Sequence, residues 1–152
     1  MDVPIGTEKI PSTYKNAAAV CVFHKGLVCL GLRASKDLEN KDYPYAGYWG
    51  VFGGAIEEKE NAMMAACREL REETKINIDI LDLKYMEELV NEDGSTYILY
   101  AYHSPELKIP QLNFEHTESG YFKIEHLESS PTPLCPKVIS AIKRYEKTRW
   151  KG

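Results

Sequence analysis

A glycine-led turn running into a strongly acidic helix occupies residues 54–76, GAIEEKENAMMAACRELREETKI. Within it, Arg68-Glu69-Leu70-Arg71-Glu72-Glu73 sets three carboxylates at spacings of three and four. An α-helix turns by about 100° per residue, so Glu69, Glu72 and Glu73 fall in one sector of roughly 100°. The same wheel gathers Met63, Cys67, Leu70 and Thr74 about a third of a turn away, as a stripe able to pack on a sheet. Ala62, Ala65 and Ala66 lie on the glutamate side, where small side chains leave room for a loop or ligand. A helix patterned in this way reads as core on one flank and site on the other.

Like charges at helical spacing repel by about 0.2 to 0.5 kcal/mol per pair, and a divalent cation reverses that repulsion. Oxygen ligands with no histidine or cysteine among them favour magnesium or manganese over zinc. A solvated acidic face is the competing reading. Two features weigh against it. Gly53-Gly54 precedes the helix, where a backbone carbonyl can turn inward with no Cβ in the way. Glu60 stands eight positions before Arg68, which allows an ionic tie between loop and helix.

These residues resemble the Nudix box, G-x5-E-x7-R-E-U-x-E-E-x-G-U with U aliphatic. Gly54, Glu60, Arg68, Glu69, Leu70, Glu72, Glu73 and Ile76 match it at every spacing, and Lys75 stands where the family has its second glycine. The likeness extends more loosely over residues 16–147. Tyr48 to Gly54 is similar to the family's aromatic approach to the box, with Phe52 for the usual proline and Lys59 for a common glycine. Glu115-His116-Thr117-Glu118, Tyr121-Phe122 and Glu125-His126-Leu127 resemble its late acidic and aromatic segment. The resemblance implies an α/β/α sandwich, with a mixed β-sheet between helices, and hydrolysis of a pyrophosphate bond with Mg2+, or alternatively Mn2+. It further implies that Gly54 offers a carbonyl ligand, that Glu69, Glu72 and Glu73 bind metal, and that Arg68 pairs with Glu60. A glycine at position 75 would end the helix in a left-handed conformation, which costs a residue with a Cβ about 1 kcal/mol or more. Asn77 is read as taking that role two positions later.

With 152 residues and 43% hydrophobic content, the chain suits one domain over residues 1–152, residues 1–14 forming a loose N-terminal segment. A net charge of −4 offers no footprint for duplex nucleic acid. The N-terminal MDVPIGTEKIPSTYK carries no apolar stretch of signal-peptide length and nowhere do 18 apolar residues run together, so a cytoplasmic protein is expected. Cys21, Cys29, Cys67 and Cys135, with no C-x-x-C pair, read as small core residues in a reducing compartment. The sequence is compatible with a homodimer. His24, His103, His116 and His126 lack ligand spacing and are assigned no metal.

Apolar runs at 17–23 and 27–33 around a His24-Lys25-Gly26 turn predict a hairpin. Residues 34–47 read as a long polar loop, Trp49 to Phe52 as a short strand, and Asn61 as the cap of the box helix. Ile78 to Val90 and Thr96 to His103 read as strands around a turn at Asn91-Glu92-Asp93-Gly94. Residues 104–117 read as irregular, Gly120 to Ile124 as a strand, and Lys137 to Thr148 as a closing helix entered through Pro136. Val138, Ile139, Ile142 and Tyr145 form the apolar stripe of that helix.

The general base is expected at Glu69, Glu115 or Glu118, with Glu115 preferred. Arg33, at the end of the second strand, could take phosphate oxygens, and Tyr43, Tyr45 and Tyr48 could stack on a nucleobase. The expected substrate is a nucleoside diphosphate linked to another moiety, such as ADP-ribose, a dinucleoside polyphosphate, a nucleotide sugar or a capped RNA end. A nucleoside triphosphate pyrophosphohydrolase is the alternative within enzymes. A nucleotide-binding module without turnover is the alternative outside them.

Overall fold

Ala17–His24 (β1) is apolar at almost every position and has no wet face, the pattern of a strand covered on both sides. Its alternating side chains feed two cores. Ala19, Cys21 and Phe23 enter one, and Ala18, Val20 and Val22 the other. The computed structural model describes residues 16–36, 46–130 and 132–149. The expected loose segment at 1–14 lies outside them.

The remaining strands are Leu27–Arg33 (β2), Trp49–Gly50 (β3), Phe52–Ala55 (β4), Lys84–Val90 (β5), Thr96–His103 (β6) and His116–Lys123 (β7). They form one mixed sheet whose path runs β3-β2-β1-β6-β5, with β4 paired to β1 and β7 to β2. Along one edge β1 is shared, pairing Ala17 to Val20 with β4 and Val22 to His24 with β2, both antiparallel. Its other edge pairs with β6 in parallel, from Ala17 opposite Tyr97 to Phe23 opposite His103. The site end of the sheet therefore gathers the start of β1, the end of β4 and the start of β6. On β1's neighbour it brings together the end of β2 and the start of β7, where Arg33 faces His116 across an irregularity in register.

A helix covers each face. Ala62–Thr74 (α1) packs on β1 and β4, and Pro136–Arg149 (α2) covers the other side through Val138, Ile139, Ala141 and Ile142, with Tyr145 packed at the margin. This is the mixed sheet between helices that the sequence implies.

Several boundaries differ from expectation, each for a local reason. The fully buried residues of α1 are Ala65, Ala66, Leu70, Glu73 and Thr74, while Met63 and Cys67 are only partly covered. The helix is thus rolled by roughly 60° toward its glutamates. Alanines on that flank let it lie close to the sheet, which takes Glu73 inside.

The expected strand from Ile78 begins only at Lys84. Asp79 accepts a hydrogen bond from the Leu81 amide at 2.9 Å and starts a 3-10 turn over Ile80–Asp82, so the alternation of Ile78 and Ile80 serves packing on the second core rather than pairing. The short strand expected at 49–52 is interrupted at Val51, and β7 starts at His116 instead of Gly120. Lys75 itself adopts the left-handed conformation, φ 63° and ψ 11°, and its amide donates to the Arg71 carbonyl at 2.9 Å. Asn77 does not take over that role, since the non-glycine residues at positive φ among those described are Lys25, Lys59 and Lys75.

Candidate active site

Asn61 opens α1 in an extended conformation, and its side-chain oxygen accepts from the Met64 amide at 2.8 Å. That cap sets where the box helix begins. The glycine pair before it is required by crowding: a Cβ on Gly53 would collide with Ala18 and Ala19 of β1, and one on Gly54 would collide with the Glu69 carboxylate. Glu69 therefore lies directly over the Gly54 backbone.

Arg68 ties loop and helix together. Its Nε donates to Glu60 Oε2 at 2.7 Å, and its Nη2 to Glu60 Oε1 and to the Ala55 carbonyl, both at 3.0 Å. Nη1 donates to Glu69 Oε2 at 3.0 Å and to Glu72 Oε1 at 3.2 Å. Every donor of the guanidinium is used. The hydrogen bond from Arg68, reinforced by the Glu57 amide, holds the Glu60 carboxyl below the usual carboxylate range. The Glu60 bond in turn holds Arg68 well above its ordinary value.

Glu69, Glu73 and Glu115 each offer an oxygen, and the three oxygens lie within 4.8 Å of one another. Glu73 is fully buried, and neither of its carboxylate oxygens has a hydrogen-bond partner among the described residues. Burial raises its pKa, and the adjoining Glu69 and Glu115 carboxylates push it further, against an opposing effect of Arg33. Glu115 is raised in the same direction by burial and then by Glu69, with Arg33 and Asn113 opposing. An anionic carboxylate sealed from water with no donor is costly by several kcal/mol, and a proton or a cation relieves it.

Glu115 reaches this place because its loop is docked on the end of α1. The Gln111 amide donates to the Thr74 carbonyl at 2.8 Å and the Asn113 amide to the Glu73 carbonyl at 3.2 Å, using carbonyls that the helix leaves unmatched. Leu112 packs on the second core between them, and the Ala34 amide donates to the Glu115 carbonyl at 2.9 Å.

The other sequence candidates fall around this centre. Glu72 is half exposed and held by Arg68, outside the tight cluster. Glu118 is exposed on β7, opposite Leu32. Arg33 acts on Glu73, Glu115 and His116 alike, so its charge belongs to the same end of the sheet. Tyr48 is exposed, and its carbonyl accepts from the Arg33 amide at 3.0 Å. Tyr43 and Tyr45 lie outside the described residues.

Two neighbours were given no role from the sequence. Tyr97 on β6, with its phenol pKa raised by burial, feels both Arg33 and Glu73. His116 is buried edge-on to Phe52, ring centroids 4.9 Å apart, and burial followed by Arg33 lowers its pKa to about 4. Each looked like an ordinary strand or loop residue until the sheet brought it here.

Residues 13–144 match the NUDIX domain, and the chain belongs to that family. Over 77 residues it is 39% identical to an RNA pyrophosphohydrolase of Bartonella quintana (strain Toulouse), an alignment covering 50% of this chain and 43% of that protein. The chain therefore spans less than half the length of the curated relative it matches. Its fold is similar to a MutT protein from Methanosarcina mazei Go1, with TM-score 0.74 and 18% identity over 94% of this chain and 99% of that one. It is also similar to a C. elegans Ap4A hydrolase in a binary complex, with TM-score 0.64 and 20% identity over 90% and 100%. At those identities the two structures speak to the fold.

Proposed function

We propose that this chain is a magnesium- or manganese-dependent hydrolase that cleaves the pyrophosphate bond of a nucleoside diphosphate linked to another moiety. The observation that carries the reading is the cluster of Glu69, Glu73 and Glu115, with Glu73 sealed in and left without a donor among the described residues. Three carboxylates and no nitrogen or sulfur make a donor set suited to a hard divalent ion. These three residues would hold it, with Glu72 and the Gly54 carbonyl as further oxygens at the rim. Bound there, the ion would neutralise phosphate charge and lower the pKa of a coordinated water.

The chain's own groups supply the rest. Arg68 locks Glu69 to the loop through Glu60, so the donor over Gly54 is fixed before substrate arrives. Arg33 offers a guanidinium to phosphate oxygens at the same end of the sheet. Glu115 is the base in this reading: it is only partly buried where Glu73 is sealed, so it can pass a proton on to solvent. A carboxylate has two oxygens, and one can face the ion while the other receives the proton. A reducing compartment such as the cytoplasm would keep the chain's four free thiols reduced.

The similarities to an RNA pyrophosphohydrolase and an Ap4A hydrolase support starting with a phosphoanhydride on RNA and a dinucleoside polyphosphate, beside ADP-ribose and nucleoside triphosphates. Each would be incubated with Mg2+, and the products separated by ion exchange. A mononucleotide released from a linked diphosphate, with turnover cut by about 100-fold or more in Glu73→Gln, is the expected result. Pyrophosphate released from triphosphates alone would move the assignment to a triphosphate pyrophosphohydrolase. Binding without turnover across the panel would make the chain a nucleotide-binding module.

A further inference from the structure

Asn113 is hydrogen-bonded to both sides of the carboxylate cluster. Its amide donates to the Glu73 carbonyl on α1 at 3.2 Å, and its side-chain Oδ1 accepts from the Glu115 amide at 2.9 Å. The second bond closes an Asx-turn, in which an asparagine oxygen takes the amide two residues on. These contacts join a helix residue and a loop residue more than forty positions apart in the chain. Without the side-chain bond, the loop would still be docked by its backbone, yet nothing in the turn would set the direction in which Glu115 leaves it.

We propose that Asn113 is a positioning residue that aims the Glu115 carboxylate at Glu69 and Glu73, and that it acts on the metal site only through Glu115. The inference rests on the reading above, in which Glu115 belongs to the ion's donor set. Three geometric facts support it. The Glu115 backbone is held on both sides, by Asn113 at its amide and by Ala34 at its carbonyl, so its side chain has a defined origin. Asn113 is itself only partly buried, and its side-chain bond is to the turn. Glu73, the residue to which the Asn113 backbone is bonded, has the sealed carboxylate without a donor among the described residues, so a displaced Glu115 would leave a cation with fewer oxygens beside it.

The test is a double-mutant cycle read as Mn2+ affinity by isothermal titration, with free Mn2+ followed in parallel by its spin-resonance signal. It uses the full chain stripped of metal, in four forms: wild type, Asn113→Ala, Glu115→Gln and both together. N113A and E115Q are each expected to weaken Mn2+ by about 10-fold, the lower range for a residue that orients a ligand. In the E115Q background, N113A is expected to cost nothing more, because the group it acts through is already lost. Asn113→Ser, which keeps a weaker acceptor, should recover most of the affinity.

A merely structural role would give the same loss in both backgrounds, and that result overturns the proposal. So does wild-type affinity in N113A where E115Q has weakened binding, and this outcome leaves the role of Glu115 standing. Wild-type affinity in E115Q removes Glu115 from the donor set, and the proposal falls with it. Melting of the metal-free proteins reports whether the loop and fold survive. If N113A does not fold, the cycle runs with N113S, whose intermediate loss must again vanish in E115Q.

Discussion

Glu73 is the residue whose environment demands most explanation. Its carboxyl is sealed in against two others, with no donor among the described residues, so in the metal-free protein its proton affinity is raised. The folded state then keeps a proton that the unfolded chain releases above the ordinary carboxylate range. With more protons bound folded than unfolded, stability falls as pH rises. His116 works in the opposite sense: its pKa is lowered to about 4 from 6.5, so the unfolded chain binds the extra proton and stability falls as pH drops through that interval. Above pH 6.5 His116 contributes nothing further; the slope there comes from the raised carboxylates, joined toward pH 9 by the thiols of Cys21 and Cys29, which burial also raises. Thermal melts in EDTA are expected to decline between pH 7 and pH 9 for the wild type and to be flatter for Glu73→Gln. Magnesium should bring the wild-type slope down to that of Glu73→Gln, because a cation takes over from the proton. A wild-type slope equal to that of Glu73→Gln in EDTA would mean that Glu73 is ionised without help.

Among the elements, the end of α1 shows how a family position can be filled by the wrong residue and still keep its geometry. Lys75 adopts φ 63° where a glycine is usual, and Lys59, also in place of a common glycine, adopts φ 72°. In both turns the backbone follows the path that surrounding contacts impose, and the Cβ is accommodated at a cost. The carbonyls of Glu73 and Thr74, freed by that sharp turn, receive the loop that carries Glu115. Lys75→Gly is therefore expected to stabilise the protein by about 1 kcal/mol in denaturant unfolding, while Asn77→Gly should bring no gain. Equal gains at both positions would put the strain elsewhere. The same stretch marks how far local pattern reaches. The acidic face, the Asn61 cap and the hairpin at β1 and β2 were legible from spacing and turn residues. The roll of α1 was not, because alanines count as neutral on a helical wheel although they decide how closely it lies to the sheet. The late start of β5 was hidden for a related reason, since Asp79 can cap a turn inside a segment whose isoleucines alternate as in a strand.

At the level of the molecule, the sequence supplied nearly all the pieces of the fold and little of their adjacency. Nothing in residues 17–24 announces that they run parallel to residues 97–103, or that one strand feeds both cores. That pairing, with the docking of the 104–115 loop, is what brings Glu115 beside residues 69 and 73 and places Arg33, Tyr97 and His116 around them. Glu115 was selected in the sequence as a base. Its membership in one oxygen cluster with the box glutamates emerges only in three dimensions. The central claim is that this cluster exists to hold a divalent cation. Anomalous diffraction from crystals soaked in Mn2+ tests it most directly: the account predicts a strong peak bounded by carboxylate oxygens of Glu69, Glu73 and Glu115. A featureless anomalous map there, with Glu73 still sealed against its neighbours, would contradict it.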